Sequence, residues 1–134
     1  MVVPLEYGDF VVADKDGHTL GAERKTVNDF LSSISDGRLK RQIANMVERF
    51  SHRVILLEGG HLRTDDGMLI TTKVVGGLPS IDRVTGWRSA SFQGALWSLQ
   101  NKHGFVVLPT ADIDGSLEAL RILHSRAIVG CLDG

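Results

Sequence analysis

The run Val54-Ile55-Leu56-Leu57, closed by Glu58-Gly59-Gly60, limits the folds open to this chain more than any other stretch. Consecutive apolar residues ended by glycines leave no polar face, so the segment reads as a central strand buried on both sides. Such a strand needs helices on both faces of its sheet, and the sequence supplies them. Val27, Phe30, Leu31 and Ile34 recur at helical spacing until Ser35-Asp36-Gly37 breaks the pattern, and Leu39, Ile43, Met46, Val47 and Phe50 then form a second apolar stripe. Arg88 to Lys102 carries Phe92, Leu96 and Leu99 toward a core, with Trp97 read as packing beside them. Phe105-Val106-Val107-Leu108 is a last buried strand ended by Pro109, and Asp112 or Asp114 caps a final helix with Leu117, Leu120, Ile122 and Leu123.

Toward the N-terminus, Phe10-Val11-Val12-Ala13 and His18 to Lys25 flank the turn residues Asp14-Lys15-Asp16-Gly17, which predicts a hairpin. The pattern changes over 61–86: Thr64-Asp65-Asp66-Gly67 is a turn, Met68 to Val75 a strand, and Gly76-Gly77-Leu78-Pro79 a loop. Lys73, Arg83 and Arg88 make this segment either a flap that touches substrate or a cover for a sheet edge. At 134 residues and 43% hydrophobic content, the chain reads as one α/β domain over 1–134, a central mixed β-sheet flanked by helices. The lone cysteine, Cys131, cannot pair internally, no stretch resembles a signal peptide, and no apolar run reaches membrane-spanning length. These features point to an intracellular protein, cytoplasmic or nuclear, with no membrane partner. No Gly-rich phosphate loop calls for a nucleotide cofactor.

The chemistry concentrates in Gly8-Asp9 and Glu23-Arg24-Lys25-Thr26-Val27-Asn28-Asp29. In a strand Glu23 and Lys25 share one face, so a carboxylate and an ammonium converge, and the hairpin brings Asp9 to the same end. With Thr26 as a helix cap, Asp29 falls on the first turn beside them. Acids that hold a divalent cation, next to a lysine that neutralises charge on an attacked phosphate, are the parts of a metal-dependent phosphodiesterase. Glu58 is a further acid that could point back at the same place. The five histidines show no metal-ligand spacing. A formal charge of −1 gives no general nucleic-acid footprint, so any affinity for DNA rests on a local patch. Arg38, Lys40, Arg41, Arg49 and Arg53 are the candidates; the other reading is the solvated face of an amphipathic helix.

The longer string resembles the nuclease domain of the XPF/MUS family of structure-specific DNA endonucleases. The resemblance runs from Gly8-Asp9 and Glu23-Arg24-Lys25 with Asp29, through Ser32-Ser33-Ile34-Ser35-Asp36-Gly37-Arg38-Leu39 and Gln42, to Ile55-Leu56-Leu57-Glu58-Gly59, Phe92-Gln93-Gly94-Ala95-Leu96 and Leu99-Gln100. It implies a restriction-endonuclease-like core and a catalytic set of Asp9, Glu23, Arg24, Lys25 and Asp29. It also implies Mg2+ or Mn2+ on Asp9, Glu23 and the Arg24 carbonyl, branched, flap or fork DNA as substrate, and pairing as a homodimer or with a related subunit. The family's earlier Val-Asp-x-Arg-Glu-type strand has no counterpart before Gly8, where Glu6 is the upstream acid, so the core is expected to lack the family's first strand. The domain is expected to stand without the helix-hairpin-helix modules that many relatives carry. Two further readings stay open: a catalytically silent nuclease-fold module, and a Holliday-junction resolvase or restriction-type nuclease on the same core.

Overall fold

In the computed structural model the described residues are 2–5, 8–13 and 17–128, with side chains described at 11, 13 and 17–126. Glu6, the turn acids Asp14 and Asp16, Cys131 and the side chain of Asp9 lie outside them.

β4 (His52–Glu58) is the strand on which the rest is hung. It pairs in parallel with β3 (Thr19–Thr26) on one side and β8 (Phe105–Thr110) on the other. β1 (Val2–Leu5) and β2 (Gly8–Ala13) continue the sheet antiparallel beyond β3, giving the order β1-β2-β3-β4-β8. The segment Val2–Leu5, in which the sequence shows no periodicity, is thus a strand. Val54 to Glu58 are all buried, as a strand covered on both faces requires.

The two faces carry different layers. Ile55 and Leu57 face a core built with α1 (Val27–Ser35), α2 (Arg38–Arg49) and α3 (Ser89–His103), through Val27, Phe30, Leu31, Leu39, Met46, Phe92 and Leu99. Leu20, Ala22, Val54 and Leu56 face α4 (Ile113–Ile128), which contributes Ala119, Leu120 and Leu123. Gly21 lets the Phe50 ring lie directly on β3, since a Cβ there would collide with the ring.

Pro109 and Trp97 also depart from their reading in the sequence. Pro109 does not end the last strand: it pairs with Leu57 inside β8, an edge strand whose outer side needs no N–H donor. Trp97 does not pack; it is 68% exposed, because on α3 it sits one residue round from the Phe92–Leu96–Leu99 stripe. Trp87 packs against the core instead.

Over 61–86 there is more sheet than the pattern reveals. β5 (Gly60–Arg63), β6 (Met68–Val75) and β7 (Leu78–Arg88) form a separate antiparallel sheet. The stretch Gly76-Gly77 is a two-residue turn between Val75 and Leu78, with φ of 59° and 78° that glycine adopts without strain. Leu69, and His61 stacked edge-on against Phe92, seat this sheet on the α1/α3 layer.

Candidate active site

Alternation along β3 divides the charged string between two faces. Glu23 and Lys25 are opposite Ile55 and Leu57, hence on the α1/α2/α3 side, whereas Arg24 is opposite Leu56 on the α4 side. Lys25 is buried, its side chain 6% exposed, and its Nζ lies 3.9 Å from Oε1 of the half-buried Glu23. Phe10 pairs with Ala22, so the backbone positions of Asp9 and Glu23 are neighbours across the ladder between β2 and β3. Where β3 ends, Thr26 takes an extended conformation (φ −70°, ψ 158°) and its Oγ1 accepts from the Asp29 N–H at 3.1 Å, starting α1. Asp29 is thereby held on the first turn, where the helix dipole favours a carboxylate, with its side chain in solvent.

Arg24 is committed elsewhere. Its Nε donates to Glu58 Oε1 at 2.7 Å and its Nη2 to Oε2 at 2.6 Å. Ser116 Oγ on α4 donates to the same Oε1 at 2.8 Å, and Thr110 Oγ1 lies 2.7 Å from Ser116 Oγ. The paired guanidinium holds the Glu58 carboxyl below its ordinary range, against the opposing effect of burial. Both oxygens of Glu58 are therefore used on the far face, away from Glu23 and Lys25, and Arg24 brings its backbone, not its guanidinium, between those two residues. A carboxylate closing a fully buried strand is itself a signal that a cation must be near.

A second connection, with no signature in the sequence, runs from α1 to the smaller sheet. Asn28 Nδ2 donates to Asp82 at 3.0 Å, Asn28 Oδ1 accepts from Thr71 Oγ1 at 3.2 Å, and Lys73 lies 3.6 Å from Asp82. These residues, with Arg24, Glu58, Gly59 and Asp112, line a cleft of about 520 Å³ at the carboxyl ends of β3, β4 and β8.

The basic candidates separate by environment. Lys40 and Arg41 are exposed on α2, and Arg49 is exposed at its last turn. Arg38 Nε is 2.7 Å from Asp36, whose carboxyl is held low by hydrogen bonds from Arg38. Arg53 is not in the open: Nη1 donates to Phe50 O at 2.8 Å and Nη2 to His103 O at 3.1 Å, so it joins the C-terminal ends of α2 and α3 over the Phe105 ring.

Among the described residues no group of three or more His, Cys, Asp or Glu side chains converges. The candidate ligand set of Glu23, the Arg24 carbonyl and Asp9 is all oxygen, the donor chemistry that suits Mg2+ or Mn2+. The family model of the ERCC4 domain matches residues 1–123. The chain belongs to the ERCC4 domain family. The fold is similar to that of XPF from Aeropyrum pernix in complex with DNA, at 26% identity and a TM-score of 0.66 over 90% of this chain and 49% of that one. A second structure of XPF from Aeropyrum pernix is similar at 27% identity, TM-score 0.66 and the same coverage. The ERCC4 chain thus spans about half the length of these relatives. A search of curated protein sequences finds no match. The restriction-endonuclease-like core expected from the sequence is consistent with this ERCC4 fold.

Proposed function

We propose that this ERCC4 domain is a metal-dependent DNA endonuclease that hydrolyses phosphodiester bonds near branched, flap or fork junctions, inside the cell, in DNA repair or recombination. The observation that carries the reading is the buried Lys25 beside Glu23. Removing an ammonium from water costs several kcal/mol, and an apolar side chain would serve the core better, so folding alone has no use for it. Glu23, the Arg24 carbonyl and Asp9 would hold Mg2+ or Mn2+, which supplies Lewis-acid polarisation of the phosphate when bound. Lys25 donates hydrogen bonds to the oxygen on which charge grows, in a site shielded enough to strengthen them. Asp29, anchored by Thr26, orients water or the lysine from the helix end.

DNA as partner is supported by the likeness to XPF from Aeropyrum pernix in complex with DNA. Lys40 and Arg41, with Arg38 and Arg49, offer it a phosphate-facing helix surface, whereas Arg53 serves the helix ends. A homodimer, or pairing with a related subunit, is supported by the β8 edge, around which Trp97, Val106, Ile113, Leu117 and Ile122 remain exposed. Sedimentation at micromolar protein should show a species above 14.6 kDa; a clean monomer argues against pairing.

The test is cleavage of labelled fork, 3′-flap, four-way-junction and plain duplex DNA with Mg2+ or Mn2+. Cutting confined to the fork and flap is expected. Preference for the four-way junction favours a resolvase, and a folded chain that cuts nothing is a silent module.

A further inference from the structure

We infer that Arg24 serves the reaction as a positioning residue that acts through Glu58, and that the fork of hydrogen bonds between them aims Glu23 and Lys25 from the opposite face of the sheet. The inference rests on the endonuclease reading, and its ground is parity and saturation. Arg24 stands between the two residues of the candidate site but projects to the α4 side. There its Nε and Nη2 meet Glu58 at 2.7 and 2.6 Å, a planar two-point contact that fixes direction as well as distance. Glu58 is in turn fixed by Ser116, fully buried, which meets Thr110. Thr110 O also accepts from the Gly59 N–H at 2.9 Å. The network therefore spans β3, β4, β8 and the first turns of α4. A strand so held cannot rotate about its axis, and rotation of β3 is the motion that would swing Glu23 and Lys25 out of line.

Stability alone does not call for the arrangement. A part-buried ion pair can commonly be replaced by apolar residues at little loss, and the neighbours Ala22, Val54 and Leu56 show that this face accepts them. A lysine at this position would keep the charge but lose the two-point fork. Arg24 has 38% of its side chain exposed, so it is solvated when Glu58 is neutralised, and Glu58→Gln is expected to fold.

The test is a double-mutant cycle of Arg24→Lys and Glu58→Gln on fork cleavage, with amide hydrogen exchange over residues 23–26. Each single change should lower kcat about tenfold or more with KM nearly unchanged, as small misplacements of reacting groups do. The double variant should be little worse than the poorer single, because both break one connection. Exchange over 23–26 should quicken in Glu58→Gln. Multiplying losses, or a KM raised by the Arg24 change alone, would make Arg24 a DNA contact and overturn the inference, as would unaltered exchange. If the parent chain cuts nothing, the endonuclease reading fails by itself, and exchange alone then decides whether Glu58 restrains β3.

Discussion

Replacing Arg53 with methionine separates a structural arginine from a DNA-binding one. The change removes two hydrogen bonds from a charged donor, to Phe50 O at 2.8 Å and His103 O at 3.1 Å, and the guanidinium 5.8 Å above the Phe105 ring. At this partly exposed site the bonds are worth about 1.5 kcal/mol each and the ring contact about 0.5 kcal/mol. Arg53 Nε is buried without a partner among the described residues, and losing it returns about 1 kcal/mol. The net cost is about 2.5 kcal/mol, which in a domain of this size lowers Tm by about 8 °C. Urea unfolding read by circular dichroism measures it, with gel-shift affinity for fork DNA alongside. Lost stability with DNA affinity unchanged is expected. A stability change under about 0.5 kcal/mol, together with several-fold weaker DNA binding, would refute the assignment to the helix ends.

Lys25→Met should abolish cleavage yet leave urea stability equal or up to about 1 kcal/mol higher, since methionine fits a buried site without a charge; a clear loss of stability would make Lys25 structural. The Glu58 carboxyl, held below its ordinary value near 4.5 by Arg24, contributes stability that is complete above that value and is lost as pH falls through the lowered one. Stability measured from pH 6 to pH 3 should therefore fall less steeply in Glu58→Gln than in the parent, and equal slopes would argue against the pairing. Asn28→Ala should loosen the smaller sheet from α1, cost about 1–2 kcal/mol, and speed limited proteolysis within 68–88 without altering cuts elsewhere.

What could be read in the sequence was what local periodicity encodes. The buried β4, the Thr26 cap with Asp29 on the first turn, and the Leu39–Ile43–Met46–Phe50 stripe each depend on residues close in the chain. The shared face of Glu23 and Lys25 was also legible from alternation, whereas the place of Arg24 in the charged string suggests a common role and its guanidinium turns to the other face. Its partner was not legible, because Glu58 is brought to it by a parallel pairing 34 residues away. Arg53 shares a helix-end charge cluster with Arg49, and only the approach of His103 from α3 distinguishes the two. β7 escaped because register shifts against β6, near Ile70 and Thr72, interrupt the alternation by which strands are recognised, and β5 because its four residues are all exposed and leave no buried face to alternate with.

The most direct measurement is the rate of fork-DNA cleavage with Mg2+ or Mn2+ by the parent chain, Asp9→Ala and Lys25→Ala, with DNA binding measured in parallel. Metal-dependent cutting that both substitutions abolish while binding persists is the expected result, and it would locate the chemistry on the β2/β3 pair. Cutting that survives either substitution would place the reaction elsewhere and contradict the account.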